Sequence, residues 1–391
     1  MFIHFYNSLV PNSGDIRRIK NINKEFSENF GTQAVEVSFY GLKDRSVIRK
    51  WGKFKVNDNS AKKLYILTPP KVKLYFPWYF SLVLAIVGLI YHVDFAVGEM
   101  VLPYKFKEIF RWLNCGKKIF VDIHGARVEE LISVQPNTPQ EIVEKERYRE
   151  LYSVESANAV VCQSDEMKRY IMSKYGQSPE KIVVYRCGYE QTLFNVDPSQ
   201  RQEKRTELGL TDDNLLFVYA GGLHKWQKIE ESLNVFKSFR ENTPNAKFLI
   251  LTGDQSRLGE LLNSERYAEI KSSVISFSVP FASVAQYLNA ADVAFLIRDN
   301  HPMNAVASPT KLAEYLACGL PIITSEVAKC WVDESCLPYL VLVDDGNIND
   351  DISEIIKSID KKAVEEYAIS HLSLEIDRSN IKKYLGEKWS Q

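Results

Sequence analysis

The chain has 391 residues, 45% of them hydrophobic and 25% charged, and a formal net charge of −1. That length exceeds one ordinary hydrophobic core, so two domains are expected, and the balanced charge gives no reason to expect a nucleic-acid partner. The six cysteines (Cys115, Cys162, Cys187, Cys318, Cys330, Cys336) form no CxxC pair and no zinc-like spacing, which reads as incidental thiols of a reducing compartment and no bound metal.

The first apolar run, Phe2–Tyr6, reads as a strand, not a signal peptide, because it lacks a basic segment and a small-residue cleavage site; a cytoplasmic location is expected. Strand-like runs follow at Val35–Phe39, Leu64–Leu67, Phe95–Val97, Ile119–Asp122, Ala159–Cys162 and Ile182–Tyr185, separated by helix-like stretches such as Ile16–Phe26 and Glu141–Val154. This alternation predicts a doubly wound α/β domain. Residues 74–90, LYFPWYFSLVLAIVGLI, are slightly short for a membrane span and carry Pro77. They read first as a buried helix. The alternative is peripheral contact with the inner face of the cell membrane, assisted by Tyr75, Trp78, Tyr79 and the nearby Lys71, Lys73, Lys105 and Lys107.

Residues 197–202 are polar, include Pro198 and read as a linker. A second alternation then runs through Leu215–Ala220, Phe248–Leu251, Val274–Ser276, Val293–Ile297, Ile322–Thr324 and Tyr339–Val343, and the chain is helical in pattern from Asp351 on. The expected domains are 1–195, 196–372 and a terminal segment 373–391.

Ligands of open parallel sheets bind at the carboxyl ends of strands, so the residues after each strand are the candidates. The Asn12–Arg18 loop offers Gly14 for close backbone approach and Arg17 and Arg18 for charge. His124 follows a strand and precedes Gly125, which makes an exposed, positioned imidazole, with Asp122 able to orient it; Glu129 and Glu130 read as solvated or acceptor-facing. Gly221 and Gly222 would let backbone N–H groups face a diphosphate. Lys225, Lys228, Arg298 and Lys311 are the candidate cations, Arg298 and Lys311 being preferred.

The segment Ser308–Pro321 (SPTKLAEYLACGLP) predicts a short helix with Ser308 as cap, Pro309 in the first position and Gly319 just past the end. Ser308, Thr310 and Lys311 at its start suit an anion, and Glu314, one turn on, suits hydroxyls. Phosphate beside ribose is a nucleotide.

The stretch Ala291–Ile323, which contains this segment, resembles the carboxy-terminal donor-site motif of family 4 glycosyltransferases, in the branch common among surface-polysaccharide enzymes. Asn12–Arg18, Asp122–Gly125, Cys187–Tyr189 with Phe194, and Phe217–Leu223 resemble further family segments in the same order. The resemblance implies the α/β GT-B fold, two facing Rossmann-like domains with a deep interdomain cleft. The amino-terminal domain would bind the acceptor, the second the nucleotide-sugar donor, and the last helix would cross back. It implies a catalytic role for His124, Lys311 and Glu314, base contact near Val279, and donor contacts from Asn304 or His301, since Val306 stands where the wider family often has a glutamate. Gly222 and Gln227 likewise replace the family's Arg and Lys.

The implied activity is retaining, metal-independent sugar transfer, without a cofactor, from a nucleotide-sugar, with UDP as the expected nucleotide, to a glycan, lipid-linked or protein acceptor in bacterial cell-surface polysaccharide biosynthesis. The alternatives are a nucleotide-sugar epimerase of the same fold and a catalytically degenerate partner of another transferase.

Overall fold

The structure, a computed structural model, describes residues 1–6, 13–40, 61–68, 78–344, 347–348 and 352–389. The chain divides into two compact units, Met1–Arg186 with Asp377–Gln391, and Cys187–Ile376.

The first unit is built on a seven-stranded sheet in the order β3-β2-β1-β4-β5-β6-β7. Its strands are β1 (Phe2–Tyr6), β2 (Ala34–Tyr40), β3 (Ala61–Leu67), β4 (Phe95–Glu99), β5 (Lys118–Ile123), β6 (Ala159–Cys162) and β7 (Ile182–Val184). All pairings are parallel. Both faces are covered, so β4 and β6 are buried at every position and read as continuous apolar runs, not alternating ones. Phe2, Phe26, Phe95 and Phe120 pack as one aromatic cluster, with ring centroids 4.8 to 5.5 Å apart in the Phe2–Phe95, Phe26–Phe95 and Phe26–Phe120 pairs. The strand order reverses between β1 and β4, and the carboxyl ends there are a switch point where ligands can enter.

The second unit repeats the design in the order β10-β9-β8-β11-β12-β13-β14. The strands are β8 (Leu216–Ala220), β9 (Lys247–Leu251), β10 (Val274–Phe277), β11 (Val293–Leu296), β12 (Ile322–Thr324), β13 (Leu340–Asp344) and β14 (Asn347–Ile348). Only the β13–β14 hairpin is antiparallel among the described pairings. The switch point lies between β8 and β11.

Three readings of the sequence change. Residues 197–202 are not a linker: Asp197 accepts from the Ser199 and Gln200 N–H groups at 2.9 and 3.1 Å and caps a helix, Pro198–Glu207, with Pro198 in its first turn. Gly14 lies in the first turn of the helix Ser13–Phe30 instead of a loop. The helix within 74–90 is Tyr79–Ile90, with residues 74–77 outside the described ones. It buries Phe80, Leu84, Ala85 and Val87 but leaves Ile86, Leu89 and Ile90 exposed, so it is not a buried helix throughout. Among the described residues no helix is long and apolar enough to cross a membrane.

The final helix, Leu374–Trp389, is fastened to the first unit through Asp377, which is buried. Arg186 donates its backbone N–H and its Nη1 to the two Asp377 oxygens at 2.8 and 2.9 Å, and Arg378 donates to Glu25 at 2.7 Å. Removing one partner of a buried ion pair strands the other. Asp377→Ala is therefore expected to lower the stability of the first unit by about 3 kcal/mol, read by urea denaturation, and to open residues 377–389 to proteolysis.

Candidate functional site

In the second unit the carboxyl ends of β8 and β11 bring two cations together. Arg298 follows β11 and is buried; its Nη1 donates to its neighbour's carbonyl, Ile297 O, at 2.8 Å, and its backbone is clamped by Ser325, whose hydroxyl accepts from Arg298 N–H at 3.1 Å and donates to Arg298 O at 2.5 Å. Lys311 lies in the first turn of the helix Thr310–Ala317. Both reach one acceptor: Gln227 Oε1 receives Arg298 Nη2 at 2.6 Å and Lys311 Nζ at 2.8 Å. Lys311 Nζ also donates to the Tyr219 hydroxyl at 3.0 Å and lies 4.4 Å from the centre of that ring. Among the described residues neither cation forms an ion pair. Burial pulls the Lys311 ammonium well below the usual lysine range, the Arg298 charge lowers it further, and Glu314 is near enough to oppose the shift. Burial likewise lowers Arg298. Two part-buried cations on a neutral oxygen make a place that favours an anion.

Gly221 makes this packing possible. Its φ is +141°, and a Cβ there would lie 2.5 Å from Lys311 Cε. Its N–H donates to Leu251 O at 2.8 Å, so the residue supplies space and not the diphosphate donor expected of it. Gly222 directs its carbonyl to the Tyr219 hydroxyl at 2.6 Å. Tyr315, on the helix, is fully buried and accepts the Ala220 N–H at 2.9 Å, fixing helix to strand.

Ser308 does not cap the helix. It accepts from the Cys187 N–H at 3.2 Å, and Pro309 occupies the cap position without a side-chain bond, leaving Thr310 as the first helical residue. Gly319 stands past the helix end with φ +69°, as the pattern required. Glu314 is buried one turn beyond Lys311. Asn304 is committed to its own loop, donating to Asp299 O at 2.9 Å, while its carbonyl accepts Trp331 Nε1 at 2.7 Å. His301 Nδ1 accepts from Met303 N–H at 3.2 Å. Val279 follows the edge strand β10, two strands from β8, and packs on the core. Lys228 is taken by Asp299 and Glu231 at 2.8 and 3.0 Å, and Lys225 is exposed. Of the four candidate cations the structure unites Arg298 and Lys311.

In the first unit His124 joins a buried charge network that the spacing of its members in the chain hides. Its Nδ1 lies 3.2 Å from Asp122 Oδ2 and 3.3 Å from Glu99 Oε2. Arg18 Nε and Nη2 donate to the two Asp122 oxygens at 2.7 and 2.5 Å, and Nη1 donates to Tyr185 O at 2.7 Å, so Arg18 is an internal clamp and not a solvated helix charge. The other Glu99 oxygen bonds His4 Nε2; His4 Nδ1 meets Asn23 Oδ1 at 2.5 Å, and Asn23 donates to Glu36 at 2.9 Å. Glu129 is paired with Lys174 at 2.9 Å.

Glu99, Asp122 and His124 place ligand atoms within 4.8 Å of one another. Both Asp122 oxygens accept from Arg18 and one Glu99 oxygen meets His4, while Glu99 Oε2 is buried without a hydrogen bond, 3.3 Å from His124 Nδ1. Burial alone would raise Asp122, but Arg18 and His124 outweigh it and hold the carboxyl well below the carboxylate range. Burial alone would lower both histidines. Glu99 raises His4 instead, and Asp122 with Glu99 lifts His124 to about 8.

The His124 value lies above the ordinary 6.5. Its stabilisation is therefore fully present below about pH 6.5 and is lost as pH rises through about 8, a shift worth about 2 kcal/mol. Urea midpoints should fall across that window in the wild type and fall less in His124→Asn, where the raised His4 remains; equal slopes in the two proteins would contradict the network.

Residues 200–383 match the family model described as glycosyl transferases group 1. A D-inositol 3-phosphate glycosyltransferase of Jonesia denitrificans is 27% identical over 184 residues, 44% of this chain and 42% of that one. A protein of Bacillus subtilis provisionally named as the teichuronic acid biosynthesis glycosyltransferase TuaC is 27% identical over 45% of this chain and 40% of its own. The chain thus spans less than half the length of these curated relatives. HepE of Anabaena, crystallised with UDP, superposes with a TM-score of 0.69 over 99% of each chain at 12% identity. The two parallel-sheet Rossmann-like units match the GT-B fold, and the second of them carries the stretch similar to the glycosyl transferases group 1 model.

Proposed function

We propose that the chain is a retaining, metal-independent glycosyltransferase that moves a sugar from a nucleotide-sugar donor, a UDP-sugar, to a glycan, lipid-linked or protein acceptor in bacterial cell-surface polysaccharide synthesis. One observation carries this reading: Arg298 and Lys311 converge at the switch point of the second sheet without a carboxylate partner among the described residues. The donor's diphosphate supplies the missing negative charge. As the sugar departs, charge grows on the leaving phosphate, and fixed cations stabilise it there more than in the ground state. Glu314 accepts from the ribose hydroxyls. Same-face attack, in which the leaving phosphate takes the acceptor proton, requires no protein nucleophile. His124 takes a catalytic role, with Asp122 holding its ring. The crystallised complexes of HepE with UDP and UDP-glucose support a UDP-sugar, and the teichuronic acid relative supports a surface polymer.

Each charge-assisted contact is worth about 1.5–3 kcal/mol. Lys311→Ala and Glu314→Ala should each reduce kcat/KM for the donor roughly 10- to 150-fold, measured by nucleotide release. A screen of UDP-, GDP-, ADP- and CMP-sugars by thermal shift selects the donor. Unchanged donor kinetics in either variant would remove the assignment.

We also propose peripheral contact with an anionic membrane through the outer face of the Tyr79–Ile90 helix. Trp78, Ile86, Leu89 and Ile90 are 42%, 41%, 50% and 65% exposed, and Trp112, on the adjoining helix Phe106–Leu113, is 80% exposed. Lys105 precedes that second helix and Lys107 lies in its first turn. Wild type should co-sediment with phosphatidylglycerol-containing vesicles and Ile86→Glu/Leu89→Glu should not, while both retain the same thermal midpoint; equal sedimentation would refute the contact.

A further inference from the structure

Gln227 stands where the wider family places a lysine, and it does something a lysine cannot. Its Oε1 accepts from Arg298 Nη2 at 2.6 Å, from Lys311 Nζ at 2.8 Å, and lies 3.1 Å from the Tyr219 hydroxyl. The Tyr219 proton is already directed to Gly222 O at 2.6 Å, so the two cations are the principal donors. One oxygen gathering a guanidinium and an ammonium is the arrangement a phosphoryl oxygen would make. The residue is well placed to hold it: Gln227 ends a short turn, Lys225–Gln227, whose next residue, Lys228, has φ +52° and is tied to Asp299, beside Arg298. The backbone is thereby anchored while the side chain keeps three rotatable bonds.

We propose that the Gln227 carboxamide oxygen is an internal stand-in for a donor phosphate oxygen, which organises Arg298 and Lys311 in the empty site and is displaced when the donor binds. This rests on reading the pair as the donor's anion site. A carboxamide oxygen carries only part of a unit charge, so it separates the cations without neutralising them, and an incoming phosphate wins the exchange. A carboxylate at this position would neutralise them and resist displacement. A residue without the acceptor would leave the cations open to the ligand.

Isothermal titration with UDP and with inorganic pyrophosphate, the second probe being independent of the base, tests the exchange on the full chain. Lys311→Ala should weaken both probes at least tenfold. Gln227→Glu should also weaken both at least tenfold, while raising the thermal midpoint of the unliganded protein. Gln227→Ala should bind both at least as tightly as wild type, within threefold. If Gln227→Ala binds more than threefold more weakly, the side chain contacts the ligand directly and the stand-in is wrong. If Gln227→Glu binds as wild type does while Lys311→Ala does not, the stand-in is again wrong and the anion site survives. If Lys311→Ala binds both probes normally, the anion site itself fails.

Discussion

Arg298 and Lys311 bring like charges into one part-buried space, each within 2.8 Å of the same Gln227 oxygen. Two unit charges about 5 Å apart repel by about 3 kcal/mol at an effective dielectric of 20. The neighbourhood is arranged to tolerate this. Gly221, which has no side chain, leaves room for the lysine, the Tyr219 ring lies under the ammonium, and Ser325 pins the arginine backbone from the adjacent strand end. Tyr219 and Gly221 belong to the end of β8, Arg298 follows β11 and Ser325 follows the neighbouring β12, so the sheet order that creates the crevice also delivers these groups to it.

The first unit solves the opposite problem. There the buried carboxylates outnumber what burial would permit, and each is answered: Asp122 by Arg18, Glu99 by His4, Glu36 by Asn23. His124 is the outermost member of that chain of contacts, and it holds a proton because two carboxylates face it. A compensated network gives rigidity and a defined protonation state; an uncompensated pair gives affinity. The two units thus carry complementary electrostatic characters on closely similar sheets.

The fold was legible because apolar runs in doubly covered parallel sheets are continuous and bounded by polar turns; β1, β6 and β12 coincide with runs visible in the chain. The two-residue strand β14 is too short to have a period. Arg298 and Lys311 could be picked out because each follows a strand or opens a helix. The roles of Gly221 and Ser308 could not, since a glycine that clears space and a serine that accepts a distant N–H look the same in sequence as a donor loop and a helix cap. The Asp122–His124 pairing could be read from their spacing, but the rest of the network was hidden for a plainer reason: Arg18, Glu99 and His4 come from separate elements, and no local spacing relates them to that pair. The helix start at Asp197 carried a visible signal, an aspartate before a proline, that its polar composition obscured.

The first unit is not continuous in the chain: its last portion, Asp377–Gln391, is made after the whole of Cys187–Ile376. During synthesis the second unit can therefore complete its core while the first still lacks the partner for Arg186 and the Arg378 contact to Glu25. An emerging chain holds its first unit unfinished until the residues beyond 376 leave the ribosome, so a nascent product stalled or terminated before residue 377 would leave the second unit whole and the first exposed to quality control.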